Sequence, residues 1–139
     1  MNFHDGSWIY EKLNEHFEYA KQFYDEKQII GIFLRGSQNY GMNDENSDVD
    51  SMLLLAPSIE DICRGRRLES TTIIMPNDEH IDVKDIRWMR EQILKQSPQF
   101  MECLMTPYSI VPDRFFDQWM QFISHKHYYF NYDKKKMLK

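Results

Sequence analysis

Two aspartates separated by one valine, Asp48-Val49-Asp50, and a glycine–serine pair, Gly36-Ser37, have the residue types and spacing to do chemistry. Side chains alternate along a strand, so Asp48 and Asp50 are expected on one face and Val49 on the other. At roughly 5–6 Å and an effective dielectric of about 20, two such charges repel by about 3 kcal/mol, enough to raise one pKa or to demand a counter-ion. A bound divalent cation meets that demand. Oxygen-only ligands suit Mg²⁺, which takes one or two carboxylates and completes its shell with water and substrate phosphate, and Mn²⁺ is an alternative ion for the same ligands. Gly36-Ser37 offers what phosphate needs: close backbone approach, N–H groups and a hydroxyl donor.

These residues must be positioned by the elements around them. The apolar runs Ile29–Leu34 and Met52–Ala56 have the length and branched-residue content of buried strands, with the polar segment that carries Gly36, Ser37, Asp48 and Asp50 between them. Upstream, Ile9, Leu13, Phe17, Ala20 and Tyr24 recur at three or four residues and predict an amphipathic helix from Ser7 to about Lys27. Downstream, Ser58 with Asp61 is a capping pattern for a short helix from Ile59 to about Arg64, closed by Gly65. A third strand, Ser70 to Met75, a turn at Pro76-Asn77-Asp78-Glu79 and a fourth strand, His80 to Val83, follow. On that fourth strand Asp82 points away from the face of Ile81 and Val83. Asp85 competes with it as a functional acid, but its place suits the N-cap of the next helix.

That helix carries Ile86, Met89, Ile93 and Leu94 and ends near Gln96. Pro98 opens another, with Phe100, Met101, Leu104 and Met105 as its stripe. Tyr108–Val111 reads as a short strand, and Pro112 starts a final helix bearing Phe115, Phe116, Trp119, Met120, Phe122 and Ile123. The pattern as a whole is α+β, a mixed sheet of four to five strands with helices packed against it.

A chain of 139 residues is one domain's worth, taken as residues 1–139. A net charge of −5 excludes a broad electrostatic grip on duplex nucleic acid. Local basic clusters remain, at Arg64, Arg66 and Arg67 and at Lys134–Lys136 beside Tyr128, Tyr129, Phe130 and Tyr132. The latter aromatics could stack on single-stranded bases or pack against a helix. Cys63 and Cys103 have no metal-like spacing, and the sequence shows no signal peptide or spanning segment. The expectation is a cytoplasmic protein with free thiols and no membrane partner.

Gly36, Ser37, Tyr40 and Gly41 after one strand, then Ser47, Asp48 and Asp50 leading into the next, resemble the signature of the DNA polymerase beta-like nucleotidyltransferase superfamily. The segments 81–86, 97–104 and 122–126 look like the corresponding pattern of a bacterial and phage group of predicted nucleotidyltransferases within it, so the resemblance spans about Ile29 to Lys126. It implies the nucleotidyltransferase fold and transfer of a nucleoside monophosphate from an NTP to an acceptor hydroxyl. It also implies Asp48 and Asp50 as Mg²⁺ ligands, with Asp82 as the third carboxylate and a ligand of a second ion. Gly36 and Ser37 would cradle phosphates, Arg35 and Tyr40 would lie beside them, and Lys84 would neutralise developing charge. Members of that group continue into further helices, which implies a compact or truncated version here. A nucleic-acid end, a protein hydroxyl and a small molecule all offer the acceptor oxygen. The rivals are a catalytically silent nucleotide-binding module and an antitoxin-like partner protein.

Overall fold

A computed structural model describes residues 7–35, 48–66 and 70–125. Gly36, Ser37, Tyr40, Gly41, Ser47, Arg67 and the basic, aromatic segment from Lys126 onward therefore lie outside the described residues.

The first helix, α1, spans Ser7–Ala20. It ends earlier than its apolar periodicity suggests, because the chain turns through residues 21–24 and a short 3₁₀ turn, Glu26–Gln28, capped by the Asp25 side chain, before the first strand. Strand β1 is Ile29–Arg35 and β2 is Asp50–Leu55. Helix α2, Ile59–Cys63, opens on a complete capping box, in which Ser58 accepts from the Asp61 N–H and Asp61 accepts from the Ser58 N–H. The Ser58 hydroxyl and the Ser58 N–H together hold the Asp61 carboxyl below the usual carboxylate range. Gly65 follows at φ +67°, where glycine is the undemanding choice.

Strands β3, Thr71–Ile74, and β4, His80–Asp85, form an antiparallel hairpin. Helices α3, Ile86–Lys95, and α4, Pro98–Leu104, come next, then the two-residue strand β5, Ser109–Ile110, and helix α5, Asp113–Ser124. The five strands form one mixed sheet in the order β3-β4-β2-β1-β5. Among the described residues only β2 and β4 pair in parallel, and α2 with β3 lies in the crossover that parallel pairing needs.

Helices cover both faces of this sheet. One layer packs Phe17 and Ala20 of α1 on Ile29, Ile32, Leu53, Leu55, Ile81 and Val83, and Ile9 and Leu13 extend it over Leu34 and Val49. The opposite layer sets Met89 of α3, Phe100, Cys103 and Leu104 of α4 and Trp119 of α5 on Ile30, Phe33, Met52 and Leu54. Ile30 and Phe33 have opposite parity yet share a face, because the β1–β2 register slips between Ile29 and Gly31. Three residues of the expected helical stripes, Leu94, Phe116 and Met120, are instead exposed, so the buried stripes are narrower than the apolar periodicity. Among the described residues no helix is long and apolar enough to cross a membrane.

Candidate functional site

The site lies where β1 ends and β2 begins. Val49 is fully buried among Ile9, Leu13 and Leu34, while Asp48 and Asp50 on either side of it are exposed. Burial of the valine thus turns Asp50, the first residue of β2, to the opposite side, and Asp48 is an exposed residue just ahead of the strand. Arg35 pairs with Asp50 in the β1–β2 register, and Asp82 pairs with Met52 in the β2–β4 register. Arg35, Asp50 and Asp82 therefore stand on one face of three adjacent strands. From strand spacing and rise, the Asp50 and Asp82 positions are about 8 Å apart along their diagonal.

Side-chain partners divide the acids. Asp50 accepts a hydrogen bond from the His80 N–H at 3.3 Å. The Asp82 carboxylate meets the Arg35 guanidinium with one oxygen and accepts the Thr72 hydroxyl with the other at 2.8 Å. Among the described residues no three His, Cys, Asp or Glu side chains converge as a metal would need. The donor chemistry of Asp48 and Asp50 nonetheless suits one hard cation: both are exposed carboxylates at the start of a strand, and Mg²⁺ accepts one or two carboxylates. Asp82 fits a second ion only after leaving Arg35.

Lys84 shares the face of Asp82 but lies two residues further along β4, opposite Leu54, with its Nζ 4.8 Å from the Trp88 ring centroid. Asp85 takes the structural place expected of it, capping α3 by accepting from the Arg87 N–H at 2.8 Å while its other oxygen meets Arg87 Nη2 at 2.7 Å. Arg64 and Arg66 are exposed and pair with Glu60 of α2, so that basic cluster is partly neutralised from within its own turn. A cleft of about 100 Å³ beside the site is lined by Arg35, Met52, Trp88, Gln92, Ser97 and Cys103. Burial pushes the Cys103 thiol up to about 12, so it is no nucleophile there.

Behind the acid pair, on the α1 side, is a buried polar network that the sequence reading does not anticipate. His16 Nδ1 lies 2.8 Å from the Ser51 hydroxyl, and its Nε2 lies 3.1 Å from Glu79. Glu79 also accepts from Lys12 at 3.1 Å, Asn77 at 2.8 Å and the Val49 N–H at 2.8 Å. Burial holds the His16 pKa below its ordinary value against the raising influence of Glu79, so the ring is neutral, with Nε2–H donating to Glu79 and Nδ1 accepting from Ser51. For Glu79, burial acts upward, but its donors outweigh it and hold the carboxyl below the usual range. A serine, a histidine and a glutamate in a row suggest a hydrolytic triad. All three are sealed from solvent at about 1% exposure or less, which denies them a substrate.

The signal for His16 was present: it falls on the stripe of Ile9, Leu13 and Ala20 at helical spacing. Glu79 gave none, since it follows Pro76-Asn77-Asp78 and reads as a turn residue. Comparisons with protein-family models, curated proteins and solved structures find no match.

Proposed function

We propose that this protein transfers a nucleoside monophosphate from an NTP to an acceptor hydroxyl. The observation that carries the proposal is the disposition of Asp48 and Asp50, both exposed beside the buried Val49 at the rim of a sheet whose next strand presents Asp82 on the face of Asp50. Asp48 and Asp50 would hold Mg²⁺, which when bound supplies charge neutralisation at the triphosphate and activates the attacking oxygen. Arg35, which lines the 100 Å³ cleft, would meet a phosphate bound beside the acids. Its release from Asp82 would hand the guanidinium to phosphate and the carboxylate to a second cation. Gly36 and Ser37 enter as phosphate donors on the resemblance alone, as does Tyr40. Lys84, stacked on Trp88, is set back from the acids and contributes long-range charge.

Asp50→Asn in the full chain, with labelled NTPs and Mg²⁺, tests this. Loss of pyrophosphate release with an unchanged melting temperature supports it, and unchanged release refutes it. The Arg35–Asp82 pairing favours one rival, a module that binds nucleotide without turning it over, because it keeps the third carboxylate neutralised. Calorimetry with NTP beside the pyrophosphate measurement separates binding from turnover.

A further inference from the structure

We propose that Glu79 is the positioning residue of the Asp48–Asp50 pair, the inference resting on the reading of those two acids as the ion-holding carboxylates. Three consecutive residues of the acid segment are gripped from the segment that enters β4 and from α1. The Val49 N–H, placed between the two aspartates and ahead of the first ladder residue of β2, donates to Glu79 Oε2 at 2.8 Å. The Asp50 carboxylate accepts from the N–H of His80, the residue after Glu79, at 3.3 Å. The Ser51 hydroxyl meets His16, which is itself held by Glu79.

Glu79 is fixed from its own side as well. Its N–H donates to Asn77 Oδ1 at 3.1 Å and its carbonyl accepts from Met75 N–H at 2.8 Å. A carboxylate buried to 1% exposure would be costly unless its acceptor sites were filled. Here Lys12, His16, Asn77 and Val49 fill them, and only the last is main chain of the acid segment. The carboxylate thus converts the rigidity of α1 and the β3–β4 turn into a fixed origin for Asp48 and Asp50. Mutating such an outer support of a metal ligand weakens the metal by about 10–100-fold.

The test uses the full chain, isotope-labelled, in three forms: wild type, Glu79→Gln, and Phe17→Leu as a control that loosens the α1 layer in the cluster of Leu53 rather than in that of Val49. Amide exchange at Val49 and Leu53 reads the backbone, and Mn²⁺ titration by electron paramagnetic resonance reads the acids. In Glu79→Gln, Val49 exchange should accelerate about tenfold more than Leu53, and Mn²⁺ binding should weaken about tenfold or more. In Phe17→Leu, Val49 exchange should rise no more than that of Leu53, and Mn²⁺ affinity should hold. Equal acceleration of both amides in Glu79→Gln, or an equal loss of Mn²⁺ in the control, overturns the proposal. Should Glu79→Gln not fold, Asn77→Ala removes one donor to the same carboxylate and is read in the same way. Asp50→Asn binding Mn²⁺ as wild type does would sink the reading of the acid pair instead, and Val49 exchange then decides the positioning role alone.

Discussion

The guanidinium of Arg35, the last residue of β1, reaches across β2 to the carboxylate of Asp82 on β4. The pair is about one-third exposed on each side, so salt and solvent screen it, and its coupling should be about 1 kcal/mol or less. A double-mutant cycle with Arg35→Gln and Asp82→Asn, read by urea unfolding at low and high salt, measures this. Arg35→Gln should also tighten Mn²⁺ binding, since it removes a positive charge from the face that carries Asp50 and Asp82. Weaker binding in that variant would show that Arg35 supports the acids rather than competing for one of them.

The buried His16–Glu79 pair makes stability depend on pH in two steps of the same sign. His16 has a folded-state pKa below its ordinary 6.5, so the unfolded chain binds the extra proton more readily. Its contribution is complete above about pH 6.5 and is lost as pH falls through the lower folded value. Glu79, also depressed from an ordinary 4.5, adds a second loss at more acid pH. Urea unfolding from about pH 8 down to about pH 3 should show stability falling with acid, first through the His16 step and then through that of Glu79, and His16→Gln should flatten the upper step. A wild-type curve flat through that range would contradict the neutral, buried ring.

Much of the fold was legible because short-range signals and burial agree. The Ser58–Asp61 box, Gly65 at positive φ, Asp85 as an N-cap and Pro98 at a helix start each follow from local chemistry and are found so. The outward Asp50 follows from alternation around Val49. What was not legible depends on contacts between residues far apart in the chain. Glu79 lies 63 positions from His16 and 30 from Val49, and no local pattern distinguishes a turn glutamate in water from one enclosed by its partners. The partner of Asp82 was hidden for the same reason, since Arg35 lies 47 residues away and meets it only once β2 is placed between β1 and β4.

Asp85 and Asp82 should separate cleanly under mutation. Asp85 is 3% exposed and serves the Arg87 backbone and side chain together. Asp85→Ala removes a helix cap and leaves Arg87 only its hydrogen bond to the Arg66 carbonyl, so it should cost about 2 kcal/mol, with Asp85→Asn milder because an acceptor remains. Under the proposed function neither should abolish pyrophosphate release per folded molecule, whereas Asp82→Asn should. Thermal unfolding beside a turnover measurement on each variant checks the division. Loss of turnover in a well-folded Asp85→Asn would move the third functional carboxylate to Asp85.

Gly31 marks a close approach that stability should report. It sits at the register slip of β1 against β2, with β5 on the strand's other edge. A Cβ there would lie 3.1 Å from the Ile110 carbonyl oxygen and 3.1 Å from the Phe33 ring, closer than most real contacts. The carbonyl is backbone held by the two-residue β5, and Phe33 is fully buried against Trp119 with ring centroids 4.9 Å apart, so neither gives way readily. Gly31→Ala should therefore destabilise by about 1–3 kcal/mol, the range for overpacking, although alanine is otherwise the better strand residue. Because the strain falls between β1 and β5, amide protection at Ile110 should drop before that at Leu53. A variant as stable as wild type would mean that β5 docks less tightly on β1 than these distances require.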